Sequence, residues 1–333
     1  MTIYYLDPQA SGLNNGSDWA NAWINIQTAF DTAAAGDTVY CRGTQTLAVS
    51  IDVDMNSGDW TNGYIKFIGC NAAGAVNGTR FVLDASMTAP YCLNIAAGMN
   101  YFSMENIEFK NAVSHGVNAN GNSSQHWFWN NCSFHENGGN GGNFYRNNDA
   151  FFIRCAFYNN SVDGVTAGFS QRFLFCSFHD NSQAGINGYV GRNNNFTGCL
   201  IIDNTVSGVH RSEDREMYLQ CVIDGNGSTG FDGEDSPGQR YLIGCRVTNH
   251  TGAGADLKGH TLIHGWNYFQ DNGVNIQNVT VDDIEIRVNG VGTDMENQGD
   301  VNQGYTSIST GSKDFNLRPD ASQRRTAIII PRN

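Results

Sequence analysis

The chain has 333 residues, and its 39 Gly and 41 Asn against only 5 Pro mark a succession of tight turns. With 40% hydrophobic and 11% aromatic residues it can bury a large core, which excludes wholesale disorder, and no run approaches the roughly 18 apolar residues of a membrane-spanning helix. Nineteen basic against 32 acidic side chains leave a net charge of -13, a field that repels nucleic acid.

Residues 1–45 read as an N-terminal strand and a capping helix. Met1-Thr2-Ile3-Tyr4-Tyr5 has no basic start followed by an apolar stretch, so no signal peptide is expected in this chain. Ile26, Ala29, Phe30, Ala33 and Ala34 fall at i, i+3, i+4, i+7 and i+8, the stripe of an amphipathic helix with Asn25 as N-cap and Gly36 just past its end. Such a helix covers the open end of a core whose first strands would otherwise offer unpaired edges. The 9 Cys contain no CxxC pair and lie far apart, so they read as free thiols in a chain that folds in a reducing cytoplasm.

From residue 46 to 288 the sequence repeats. Cys132, Cys155, Cys176, Cys199, Cys221 and Cys245 are separated by 23, 21, 23, 22 and 24 residues, each followed two places on by Phe, Ile or Val, with Ile107 in the cysteine position of an earlier copy. Apolar, polar, apolar is the period of a strand with one face on a core. Three residues after that second apolar position stands Asn137, Asn160, Asn181, Asn204, Asn226 or Asn272, read as a sharp corner in left-handed conformation. A Gly then leads into another apolar residue, as in Gly164-Val165, Gly185-Ile186 and Gly208-Val209. A unit of about 22 residues with one apolar face has to stack on its copies, so residues one period apart become vertical neighbours about 4.8 Å apart. The cysteines are then small side chains filling the interior.

This repeated Cys-x-[Phe/Ile/Val]-x-x-Asn, followed by Gly and an apolar residue, resembles the coil of the right-handed parallel β-helix superfamily, the pectate-lyase-like proteins, with its asparagine ladder. Tyr4-Tyr5-Leu6-Asp7-Pro8, Trp19, Ile26-Gln27-Thr28-Ala29-Phe30 and Gly36-Asp37-Thr38-Val39-Tyr40 resemble the start of many members. The resemblance implies an all-β, single-stranded right-handed parallel β-helix and a polysaccharide as ligand. Residues 279–288 alternate like one more strand, and 289–333 read as a loop followed by a cap or subunit-contact tail.

In such a fold any ligand lies along an outer face. Taking the apolar residue after each Gly as inward, the next points outward: Asn118, Tyr145, Thr166, Asn187, His210, Asp232, Asp256 and Asn275. Two places on stand Tyr189, Glu234 and Lys258 among others. The line turns ionisable over three coils, so Asp232, Asp256, Glu234, His210 and Lys258 are the candidate catalytic groups: stacked like charges raise a carboxylate pKa toward what a general acid needs. Arg211, Tyr189, Tyr145, Asp235 and His260 are the candidate substrate contacts. No cofactor is required; calcium on Asp232, Glu234, Asp235 and Asp256 is the alternative, since it takes hard oxygen ligands. Trp127 and Trp129 read equally as sugar platforms or wall packing.

The reading is a polysaccharide-recognising protein, with depolymerase chemistry, as glycoside hydrolase or polysaccharide lyase, left open. The alternative is a non-catalytic phage virion protein (tail spike, fibre or capsid decoration) or surface adhesin. An extracellular or virion location, a homotrimer or virion assembly, and no nucleic-acid or membrane partner go with these readings.

Overall fold

The computed structural model describes residues 1–119, 124–188, 192–212, 215–233, 240–256, 261–264 and 267–277. The alternating segments wind as a right-handed parallel β-solenoid, each coil giving one strand to each of three parallel sheets of 11, 10 and 10 strands. In one coil the strand Trp127–Asn130 belongs to the first sheet, Ser133–His135 to the second and Gly142–Asn143 to the third. The strand expected at 279–288 and the tail 289–333 lie outside the described residues.

Register turns the sequence period into vertical columns. Phe134 pairs with Phe109 below and Phe157 above, and Phe157 with Phe178. Their rings stack at 5.1, 4.5 and 5.0 Å, close to the strand spacing. On the first sheet Phe152, Phe173, Phe196 and Tyr218 stack at 4.5, 4.8 and 4.7 Å. Each fully buried aromatic of this kind contributes about 1.5–3 kcal/mol. Trp127 and Trp129 belong to the same interior, 1% and 0% exposed, so they are wall packing. All nine cysteines are free and buried, with thiols directed at strand carbonyls, as from Cys199 to Phe173 O at 3.4 Å and from Cys221 to Phe196 O at 3.3 Å.

The asparagines form a ladder, although the left-handed residue is not the one expected. In each coil it is the residue before the ladder position: Glu136, Asn159, Asp180, Asp203, Gly225, Asn249 and Asp271 have φ between 52° and 64°. The ladder Asn is required for its amide. Nδ2 of Asn137, Asn160, Asn181 and Asn204 each donates to Oδ1 of the next at 2.9 Å. His250 stands in the ladder between Asn226 and Asn272, its ring nitrogens against Asn226 O and Ile223 O. The repeated Gly is a matter of space: a Cβ on Gly164, Gly185 or Gly208 would meet a ladder amide at 2.8–2.9 Å.

The helix spans Ile26–Thr32, with Asn25 Oδ1 capping Gln27 N. It stops short of the expected Ala34, because Ala33 already has an extended ψ of 137°. Ile26, Ala29 and Phe30 are buried, and Phe30 packs on Phe67 at 4.3 Å, so the helix lies on the inner residues of the first coils.

Candidate functional site

The outward line of the third sheet can be followed coil by coil. Asn118 pairs with Asn143, then come Thr166, Asn187 and His210. Val209 pairs with Phe231, so Asp232 follows His210, and Asp232 pairs with Asp256. The expected neighbours His210, Asp232 and Asp256 therefore share one line on the strands Ser207–Ser212, Thr229–Gly233 and Ala253–Asp256.

Two members of the expected line are displaced by two residues. Asn143, not Tyr145, lies between Asn118 and Thr166. In that coil Gly142 occupies the apolar position, and the ring of Phe144 fills the space a side chain there would take. Tyr145 follows the strand, half-buried, with the Arg146 guanidinium 5.4 Å from its ring centre. At the other end Ile276 pairs with Ala255, so Gln277 rather than Asn275 continues from Asp256. Tyr189, Glu234, Asp235, Lys258 and His260 lie outside the described residues, so of the four calcium carboxylates only Asp232 and Asp256 are placed.

The line changes character along its length. At the N-terminal end a ladder of amides ends on a carboxylate: Asn143 donates to Asn118 at 3.1 Å, Asn118 to Asn94 at 3.0 Å and Asn94 to Asp52 at 2.8 Å. At the other end His210 Nδ1 lies 3.2 Å from Asp232 Oδ2, with the His210 side chain 39% exposed and that of Asp232 17%. Asp256 is only 6% exposed. Directly after His210 the backbone breaks register: Arg211 takes a left-handed φ of 53° and a bulge lies between Val209 and Ser212. A bulge of this sort turns side chains off the regular face.

Asp163 is a member that sequence reasoning missed. It is 3% exposed, accepts Ala184 N–H at 3.0 Å and Asn187 Nδ2 at 2.9 Å, and sits one coil before Asn187 and two before His210. Burial pushes its carboxyl up, against the opposing pull of those two bonds and the nearby His210. His210 thus has a direct carboxylate contact in Asp232, and a buried carboxylate, Asp163, two coils away that feels its charge. The signal was available: Asp163 precedes the repeated Gly164, a position held elsewhere by His115, Asn140, Ala184, Ser207, Thr229 and Ala253, so it is the one carboxylate in its column.

This arrangement can move a proton. Asp232 on Nδ1 fixes the imidazole and leaves Nε2 as the working nitrogen, while Asp256 places a second carboxyl one coil away. Among the described residues no group of three or more His, Cys, Asp and Glu is placed to hold a metal ion, and no helix is long and apolar enough to cross a membrane.

Known proteins agree on the architecture. The family described as right-handed β-helix region matches residues 91–247. No curated protein matches the sequence. Among solved structures the chain is similar to the pectate lyase Pel9A, with a TM-score of 0.63, 19% identity, and coverage of 89% of this chain and 79% of that one. It is also similar to the A-module of the Azotobacter vinelandii mannuronan C-5 epimerase AlgE6, with a TM-score of 0.61, 14% identity, and coverage of 84% and 90%. A third is ORF18 of Geobacillus virus E2, with a TM-score of 0.59, 14% identity and coverage of 76% of this chain but 53% of the viral one, so the match spans about half of that protein. At these identities the likeness is one of fold.

Proposed function

Given a right-handed parallel β-helix with the pectate-lyase-like fold, we propose that the chain binds a polysaccharide along the outward face of its third sheet and cleaves it there. The observation that carries this reading is the His210–Asp232 contact of 3.2 Å with Asp256 in the next coil, where three successive coils of the line present ionisable groups. Two of the proteins of similar fold are a pectate lyase and a mannuronan C-5 epimerase, which supports a polysaccharide as the ligand class. In a hydrolysis, Asp232 and Asp256 share the work: strands about 4.8 Å apart bring two carboxyl groups nearer the separation of about 5–5.5 Å used with a covalent intermediate than the longer one that admits a water. In an elimination, His210 Nε2 takes the C5 proton next to a uronate carboxylate, the C4–C5 double bond forms as the C4–O4 bond breaks, and the departing oxygen takes a proton from water.

Neutral and acidic polysaccharides, incubated with the wild type and with Asp232→Asn and Asp256→Asn, decide the matter. New reducing ends alone indicate hydrolysis; ultraviolet absorbance of an unsaturated uronate indicates elimination. Asp232→Asn is expected to lower turnover by roughly 10²–10⁴ with the fold intact. No turnover by the wild type on any polymer would remove the catalytic reading.

A second reading, a phage spike or fibre that binds glycan without cutting it, is favoured by the similarity to the viral ORF18 protein. It goes with a trimer in sedimentation, and a monomer would count against it.

A further inference from the structure

The second sheet carries a constellation that the third-sheet site does not use. Over four successive coils one outward line reads Lys110, His135, Tyr158, His179. The rings of His135 and Tyr158 stack at 4.5 Å and 6°, those of Tyr158 and His179 at 5.1 Å and 4°. Stacking hides the ring faces and leaves edges outward, the Tyr158 hydroxyl and the His179 imidazole among them. Asp180 Oδ2 holds His179 Nδ1 at 2.7 Å. Beneath Tyr158 lies His135, 6% exposed, with Glu108 Oε1 3.2 Å from Nε2 and Glu136 Oε2 3.5 Å from Nδ1. These are ion-pair distances, yet neither oxygen lies along a ring N–H, so a buried imidazole without a well-directed hydrogen bond sits under the tyrosine.

Beside this ring line runs a column of small side chains, the buried Ser133 and the partly exposed Ala156 and Ser177. At the corner where the chain enters the sheet, Phe175 is 62% exposed. Its ring lies against Gly198 in the next coil, where a Cβ would come within 2.7 Å of Cδ1. An aromatic ring is thus held against a glycine while most of it faces water, an arrangement that core packing does not explain and that a flat apolar ligand does. Phe175, with a left-handed φ of 54°, stands at the corner two residues before the strand Ser177–His179, so Phe175, Ser177 and His179 follow one another along one coil.

We propose that this strip is a second saccharide-binding site: the apolar face of a pyranose rests on Phe175, the small Ala156 and Ser177 let the chain lie close, and hydroxyl groups meet the edges of Tyr158 and His179. Glu108, Glu136 and His135 are positioning residues that fix the Tyr158 ring from below. The site anchors a polymer and breaks no bond; holding one stretch of chain raises the local concentration of the rest around the solenoid. It shares with the function proposed above only the saccharide class and stands independently of cleavage.

The test is titration of the full chain with short oligosaccharides cut from neutral and acidic polysaccharides, followed by calorimetry. Phe175→Ala is expected to weaken binding about tenfold, with Phe175→Tyr restoring it and the far-ultraviolet dichroism unchanged. His179→Ala is expected to weaken it further, whereas Asp232→Asn leaves the second-site affinity as in the wild type. Equal affinities for wild type, Phe175→Ala and His179→Ala would overturn the proposal, as would a wild type that binds none of the oligosaccharides. If Asp232→Asn abolishes cleavage while Phe175→Ala changes nothing, only the second site falls; if Phe175→Ala alone weakens binding and no polymer is cut, only the catalytic reading falls.

Discussion

Glu108 and Asp163 are carboxyl groups with opposite fates. The His135 imidazole 3.2 Å away, against some burial and with help from Lys110, holds Glu108 below the usual range. A lowered native pKa contributes stability that is present above the ordinary value near 4.3 and is lost as pH falls through the native one. Thermal unfolding followed by dichroism should therefore show the wild type losing stability more steeply than Glu108→Gln as the pH drops below about 4.3; parallel curves would mean that the His135 contact has no energetic weight. For Asp163 the sign reverses. Burial raises its carboxyl, so the stability it contributes is present when it is protonated and is lost as pH rises through the raised value. Such a buried acid beside an exposed histidine is the sort of pairing from which proton-transfer sites are made.

The asparagine ladder is where one residue's chemistry becomes an element. Asn181 is fully buried, accepts from Asn160 Nδ2 at 2.9 Å, and donates to Asn204 Oδ1 at 2.9 Å and to Phe157 O at 3.1 Å. Asn181→Ala leaves several buried polar groups unpaired at once, so denaturant unfolding should show a loss of about 3 kcal/mol or more, against less than about 0.5 kcal/mol for an exposed polar residue. An equal loss at both would mean that the ladder is ornamental. The coils, the cysteine filling and the ladder were legible in the sequence because their columns repeat with a single period. The left-handed residue was misplaced by one position because Asn suits both tasks, and only the bonding of its amide separates them. The shift at Tyr145 has a comparable cause: Gly142 and Phe144 together do what Val or Ile does in other coils, and a pattern that seeks the next apolar residue stops on Phe144. Asp163 is not legible in that pattern because it stands before the repeated Gly, in a column that carries no fixed residue type.

At the scale of the whole molecule, the solenoid presents its sheets to water as long surfaces on which each coil adds one side chain per line. The third sheet runs from Asp52 and its asparagine ladder at one end to His210, Asp232 and Asp256 at the other, and the second carries stacked rings near the exposed Phe175. A net charge of -13 surrounds both, so an acidic polymer would approach against the overall field and depend on local cations such as Arg211, whereas a neutral glycan would not. The most direct measurement is a crystal structure of Asp232→Asn with an oligosaccharide of the polymer that the wild type cuts. Sugar rings lying along the third sheet, with the scissile linkage within reach of His210 Nε2 and the Asp256 carboxyl, are the expected result. An oligosaccharide seated on the outward face of the first sheet, with the His210 line bare, would contradict it.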